Sequence, residues 1–233
     1  MTEPHIVSLS RLDLSFAPKP WSFAIERRTE IDAHFADLQR ANPHLWNGRV
    51  LVMYQHEIAG NVLHGAYLET DYASFLAWRN WNYPGPAMNN CFALGALQSS
   101  DGAFLLGVMA AHTANPGKIY FPGGTPEPAD VSGGKVDLGS SARREVAEET
   151  GLSPEDFEIE PGWHAVLAGP RIALMKTLRA REPADALRAR ILDHFPNDEH
   201  AELSDMRIVR SAADLDPMMP DFMAAYLRFR FAG

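Results

Sequence analysis

Glu145, Glu148 and Glu149 stand at i, i+3 and i+4 in the run Arg144-Glu145-Val146-Ala147-Glu148-Glu149-Thr150-Gly151-Leu152. On a helix these spacings share one face, so three carboxylates crowd a single turn. Like charges so placed repel. A hard divalent cation that prefers oxygen ligands, Mg²⁺ or Mn²⁺, is the natural compensator. Mg²⁺ is commonly held by a few carboxylates together with substrate phosphates. The residue types therefore point to metal-assisted phosphate chemistry. Three glutamates alone also read as a solvated acidic face. Their surroundings add to the first reading: Arg144 precedes the first Glu, Gly151 can end the helix in a left-handed conformation, and Phe121-Pro122-Gly123-Gly124 lies upstream.

This ensemble resembles the Nudix box. That pattern runs Gly, five residues, Glu, seven residues, Arg-Glu, an aliphatic, any residue, Glu-Glu, any residue, Gly, aliphatic. Arg144 to Leu152 matches its second half throughout. The first half departs from it. Five residues after Gly124 stands Asp130 rather than Glu, and residues 131–143 separate it from Arg144, six more than the pattern has. Asp137 is the other candidate for the acidic position, one residue too close to Arg144. The added segment around Val131-Ser132-Gly133-Gly134-Lys135-Val136 is Gly-rich and reads as an exposed surface loop that could be shortened at little cost.

The resemblance implies roles. Glu145 and Glu149 would be the leading metal ligands, with Glu148 as a third ligand or the base and the Gly123 carbonyl as a further ligand. Arg144 would orient the carboxylates through charge-assisted hydrogen bonds. Family members often supply another acid from beyond the box. In Asp198-Glu199-His200-Ala201-Glu202, Glu202 is the first choice and Glu199 the second.

Composition sets bounds. Of 233 residues, 46% are hydrophobic and 22% charged, an ordinary globular balance. The net charge of −9 lacks the basic footprint of a nucleic-acid binder. An acidic chain acting on an anionic phosphate needs local neutralisation by metal, Arg and Lys. The single cysteine, Cys91, lies in an apolar run and reads as core; it excludes an internal disulfide and fits a reducing compartment. The start, Met1-Thr2-Glu3-Pro4-His5, shows no basic segment followed by an apolar stretch, and no apolar run reaches membrane-spanning length. The expectation is a cytoplasmic protein without membrane or nucleic-acid partners. His112, His164, His194 and His200 lack zinc-ligand spacing.

The elements that must position these residues follow from periodicity. Residues 6–16 alternate as a strand, and 21–41 turn helical, with Ile31, Phe35 and Leu38 at i, i+4 and i+7. Strands are predicted at 50–54 and 61–68 and a helix at 71–81, before the break Tyr83-Pro84-Gly85-Pro86. Further strands are predicted at 92–97, 104–109, 118–121, 164–168, 172–178 and 206–209, and helices at 139–150, 184–195 and 221–231. Strands with helices packed across them give an α/β fold. The resemblance implies a Nudix-type α/β/α sandwich with a mixed sheet, read as an N-terminal α+β extension (1–87) and a Nudix domain (88–233).

The N-terminal part carries a second resemblance. Glu30-Ile31-Asp32-Ala33-His34, Asn42-Pro43-His44-Leu45-Trp46-Asn47-Gly48, Thr70-Asp71-Tyr72 and Phe75-Leu76 are similar to a Nudix subgroup that includes UDP-glucose and UDP-galactose hydrolases and bacterial relatives. The Pro122–Pro128 stretch and the lengthened box agree with it. The substrate so implied is a small nucleoside diphosphate linked to a second group, such as a UDP-sugar. ADP-ribose, coenzyme A, a nucleoside triphosphate, or a catalytically weak Nudix-fold binding module are the alternatives. Residues between about 21 and 86 are expected to line or cover the pocket. Arg79, Asn80 and Tyr83 are the candidate polar contacts there, and Trp46, Trp78, Trp81 and Tyr83 could stack on a base.

Overall fold

The computed structural model of the chain describes residues 3–195 and 201–232. The stretch expected as one strand over 6–16 is two, β1 (His5–Leu9) and β2 (Arg11–Phe16). The chain turns at Ser10, whose N–H donates to the Asn61 carbonyl (2.7 Å), and the two strands enter different sheets. The helix expected over 21–41 also divides, into α1 (Ser22–Glu26) and α2 (Arg28–Ala41), because Arg27 leaves helical geometry with φ −108° and ψ 19°. Next come β3 (Arg49–Ala59), β4 (Val62–Asp71) and α3 (Tyr72–Asn80), whose first turn is capped by Asp71 accepting from the Ser74 N–H at 2.9 Å.

The second half of the chain supplies β5 (Asn90–Gln98), β6 (Phe104–Met109), β7 (Ile119–Tyr120), β8 (Val131–Ser132), β9 (Lys135–Val136) and α4 (Leu138–Thr150). It continues with β10 (Phe157–Ile159), β11 (Trp163–Ala168), β12 (Arg171–Ala180), α5 (Ala184–His194), β13 (Leu203–Val209) and α6 (Asp221–Ala232). No described helix is long and apolar enough to cross a membrane.

Two mixed sheets result. The larger runs β1-β11-β12-β5-β6-β13, with β10 beside β12 and β7 beside β6; the β12–β5 pair is parallel. The smaller runs β3-β4-β2-β9-β8, with β2 and β4 parallel. Strand β5 shows how one strand serves two layers. Phe92, Leu94 and Ala96 pack under α6 with Phe222, Tyr226 and Leu227, whereas Cys91 and Ala93 face Leu51, Met53 and Tyr67 of the smaller sheet. The Tyr67 hydroxyl donates to the Cys91 carbonyl (3.1 Å) across that junction. Burial pushes the Cys91 thiol up to about 12, as a core cysteine requires. The outer face of the smaller sheet, Val50, Val52 and Leu68, is covered by Ile31 and Phe35 of α2 and by Phe75, Leu76 and Trp78 of α3. The layers are thus α6, large sheet, small sheet with α4 and α5, then α2 and α3.

Residues 131–136 correct an expectation. They are not a free loop: β8 and β9 form a tight hairpin around Gly133 (φ 55°) and Gly134 (φ 76°), and β9 pairs with β2 at Ser15–Lys135. Two consecutive left-handed residues suit a two-residue hairpin turn, which explains the Gly-Gly. Ser132 to Lys135 are exposed, but Val136 is buried beside Leu14 and Leu138. Shortening this segment would remove core and sheet pairing together. The box insertion therefore extends the small sheet, while β1 from the N-terminal part extends the large one.

Candidate active site

Helix α4 carries the carboxylate face. Asp137 caps it, accepting from the Ser140 N–H (3.0 Å) and hydroxyl (2.7 Å). Gly151, at φ 69°, ends it where the sequence suggested. Its apolar face, Leu138, Ala142 and Val146, is buried against the large sheet, which turns the glutamates toward the loop after β7. That loop is held by backbone bonds from the Gly95 N–H to the Pro122 carbonyl (2.8 Å) and from the Leu51 N–H to the Pro126 carbonyl (2.7 Å).

The glycine pair is required by proximity. A Cβ at Gly123 would lie 2.5 Å from the Ala93 carbonyl, and one at Gly124 would lie 2.8 Å from the Glu145 carboxylate. The Gly123 N–H donates to Glu149 Oε1 (3.0 Å). Glu149 Oε2 is buried with no hydrogen-bond partner. Burial drives the Glu149 carboxyl well above its ordinary range; the Gly123 N–H opposes this, and Glu145, Glu202 and Glu148 add to it. Burial likewise raises Glu145 to about 7, with Arg144 opposing and Glu148, Glu202 and Asp130 reinforcing. A buried oxygen left without a donor, beside a second carboxylate whose charge is also disfavoured, has the chemistry of a cation site.

Arg144 is the hub of this cluster. It reaches Glu145 (2.8 Å), Asp130 (3.0 Å), Glu148 (3.4 Å) and Glu127 (3.5 Å). Burial works against its charge, but Asp130, Glu145 and Glu148 outweigh it and hold Arg144 above its ordinary value. A surface pair with Glu148 alone would not place it among four carboxylates.

The structure places Asp130 and Asp137 differently. Asp130 is buried and accepts from Arg144 and from the Ser141 hydroxyl (3.1 Å). Asp137 serves as the helix cap. Glu202 stands just before β13 and is exposed, yet its charge bears on both Glu145 and Glu149, so it belongs to the same neighbourhood. Glu199 lies outside the described residues, as do Asp198 and His200.

The donor set is all oxygen, which fits a hard divalent cation. Among the described residues, no three His, Cys, Asp or Glu side chains already encircle a point that could hold an ion. Arg144 engages Glu145, and the Glu148 side chain is 60% exposed. The orphaned Glu149 oxygen is the feature that fits a metal best. His164 packs on Tyr226 and Phe229 (ring centroids 5.8 and 5.4 Å), and His112 lies beside His44 (5.8 Å).

A cleft of about 520 Å³ opens from Gly123 and Gly124. Arg79 and Tyr83 from the N-terminal part line it, as expected. Asn80 does not; its side-chain amide meets His34 (3.1 Å). Trp46 is 82% exposed and away from the lining, and Trp78 is buried in the core against Trp21 (5.6 Å). Trp81 packs on Phe23 (5.8 Å). Of the aromatic candidates only Tyr83 faces the cleft. Sequence reasoning missed Lys118, Tyr120, Arg171 and Phe222, which also line it. No local spacing marks them, because they come from strand ends and a helix start far apart in the chain.

A family model, the NUDIX domain, matches residues 93–224. No curated protein matches the chain. Among solved structures, a Nudix hydrolase from M. Smegmatis, RenU, is 22% identical over 60% of this chain and 81% of that chain, with TM-score 0.38. A MutT protein from Methanosarcina mazei Go1 is 17% identical over 61% of this chain and 92% of that one, with TM-score 0.39. These distant likenesses add no detail. The span matched by the family model takes in Asp130, the whole Arg144–Leu152 run and Glu202, and more than half of the 233 residues. The chain belongs to the Nudix family.

Proposed function

We propose that this Nudix pyrophosphohydrolase is Mg²⁺-dependent and cleaves the diphosphate of a nucleoside diphosphate linked to a second group, with UDP-sugars as the substrates. The observation that carries the metal-dependent reading is Glu149: a buried carboxylate with one oxygen unpartnered, crowded by Glu145, Glu148 and Glu202, and bonded to Gly123, which lines the cleft. Glu145 and Glu149 would hold the ion, with Glu148 and the Gly123 carbonyl completing the set; Mn²⁺ meets the same donor chemistry. A bound divalent ion supplies Lewis-acid neutralisation of the phosphate oxygens.

The chain's own residues do the rest. Arg144, anchored on Asp130, keeps the glutamates from splaying apart and orients their oxygens. Glu202 or Glu148 takes the proton of the attacking water; both are near the ligands and more accessible than Glu149. The division of labour is a catalytic part, 88–233, and an N-terminal extension, 1–87, that shapes the far end of the cleft through Arg79 and Tyr83. The UDP-sugar assignment is supported by the N-terminal sequence resemblance and the lengthened box.

The test is a panel of UDP-glucose, UDP-galactose, ADP-ribose, coenzyme A and deoxynucleoside triphosphates, ranked by kcat/KM with Mg²⁺ and with Mn²⁺. A UDP-sugar should lead. A competitor ahead by tenfold, about 1.4 kcal/mol of transition-state preference, removes the UDP-sugar reading and leaves the hydrolase.

A further inference from the structure

Most arginines of this acidic protein are matched with carboxylates. Arg28 pairs with Asp71, Arg188 with Asp205, Arg207 with Asp216 and Arg210 with Asp101. The cleft breaks that pattern. Arg79, Lys118 and Arg171 line it together; among the described residues none of the three makes an ion pair, and Asp221 is the one carboxylate in the lining. Arg171 Nε is buried without a hydrogen-bond partner, and its guanidinium lies 5.7 Å from the Phe222 ring centroid. In a chain of net charge −9, three unmatched cations in one cleft invert the local charge.

The backbone beside them is unusual in the same place. Asn82 and Tyr83 adopt left-handed φ values of 63° and 59° in succession, without glycine. A bulky residue in that region is an outlier that surrounding contacts must enforce, and such strain gathers at functional sites. Here the Tyr83 N–H donates to the Trp78 carbonyl (2.8 Å), and its ring meets Trp78 edge-on at 4.7 Å. So held, Tyr83 forms a wall shared by the cleft and an adjoining cavity of about 570 Å³, and Arg171 lines both. Burial raises the Tyr83 phenol, while Arg171 and then Arg79 pull it back, so both guanidiniums act on this one side chain.

We propose that Arg79 and Arg171, set around Tyr83, form a specificity-determining subsite for the substrate phosphate that the α4 carboxylates do not hold. The proposal rests on the diphosphate reading above and adds a component from outside the matched Nudix span: Arg79 belongs to α3, before residue 93. A planar guanidinium suits phosphate oxygens, and two lining one cleft favour a diphosphate over a neutral ligand. The cleft meets the α4 carboxylates only through Gly123 and Gly124, whereas Arg79 and Arg171 line it directly and attract anions.

The experiment uses the full chain with Mg²⁺ and uridine 5′-methylenediphosphate, whose bridge resists hydrolysis, with uridine as the neutral comparison. Binding is measured by calorimetry for wild type, Arg79→Gln, Arg171→Gln, Arg79→Lys, Arg171→Lys and the surface control Arg11→Gln. Mn²⁺ binding and thermal unfolding are followed in parallel. Each Gln variant should bind the analogue at least about tenfold more weakly, about 1.4 kcal/mol, and the Lys variants should recover part of the loss. Uridine binding, Mn²⁺ binding, Tm and the Arg11→Gln variant should be unchanged. Folded Gln variants that bind the analogue within twofold of wild type overturn the subsite, as does a loss that tracks Mn²⁺ binding or a wild type that ignores the analogue. The two readings fail separately. Analogue binding that depends on both arginines without UDP-glucose turnover removes the UDP-sugar and keeps the subsite. Turnover whose KM is indifferent to both arginines does the reverse.

Discussion

At the β5–β6 turn, Asp101 accepts from the Ser99 hydroxyl (2.6 Å), Arg210 (2.9 Å) and the Ala184 N–H (3.0 Å). Those donors hold its carboxyl down to about 2. On α4, Glu149 accepts from one N–H, is buried among other acids and is driven the opposite way. Both carboxylates sit against the same large sheet. Asp101 has its charge satisfied by the protein, so it closes a turn and ties α5 to it. Glu149 has its charge left unsatisfied, at a cost to the metal-free fold, so that something else must satisfy it. Stability and function are separated by where the donors were placed rather than by residue type.

The largest effect that sharpens this contrast is on turnover. Glu149→Gln should lower kcat by at least about a hundredfold, the scale of losing one well-placed electrostatic contact, with unchanged circular dichroism. Near-normal turnover by the folded variant would remove Glu149 from the metal set. Gly124→Ala comes next. Its Cβ would press on the Glu145 carboxylate, and a displacement of about an ångström costs up to roughly a hundredfold. Measured kcat should fall by about ten- to a hundredfold with little change in Tm; full activity would show that Glu145 moves aside freely.

Stability should then respond to pH in opposite senses. Glu145 is raised from 4.5 to about 7, so the folded state keeps its proton where the unfolded chain has lost it. Metal-free stability from this group is full below its unfolded value and is lost as pH rises through about 7. Glu149 shifts in the same direction. In a chelator, Glu149→Gln should therefore raise Tm at pH 8 by about 2–4 °C, the response of a chain this size to ~1 kcal/mol. It should do nothing near pH 4, and added Mg²⁺ should erase the advantage. A variant less stable than wild type at pH 8 without metal would mean the carboxylate is satisfied after all.

The smallest effect concerns Asp101. Its folded value lies below the unfolded one, so its contribution is present above about pH 4 and is lost as pH falls through about 2. Asp101→Asn should lower Tm modestly at pH 7, and the gap to wild type should close toward pH 2. A gap that persists in acid would mean that shape, not charge, matters at this turn.

What the sequence by itself determined was local. The α4 face, its Gly151 stop, the arginine before it and most strands are written in contiguous residues, because helix and strand periods and caps act within a few positions. Family membership followed from the same contiguous run. The tertiary structure decided what depends on distant segments meeting. It set Asp130 beside Arg144 and Ser141 and left Asp137 as the cap of α4. It divided residues 6–16 between two sheets, because alternation continues across a turn that only a neighbour such as Asn61 reveals. It made the box insertion a strand pair, since an exposed Gly-Gly loop and a hairpin differ by whether β2 lies alongside. It also gathered Arg79, Lys118 and Arg171 into one cleft. Their charges carry no periodic signature, and only the packing of α3 and of the ends of β7 and β12 brings them together.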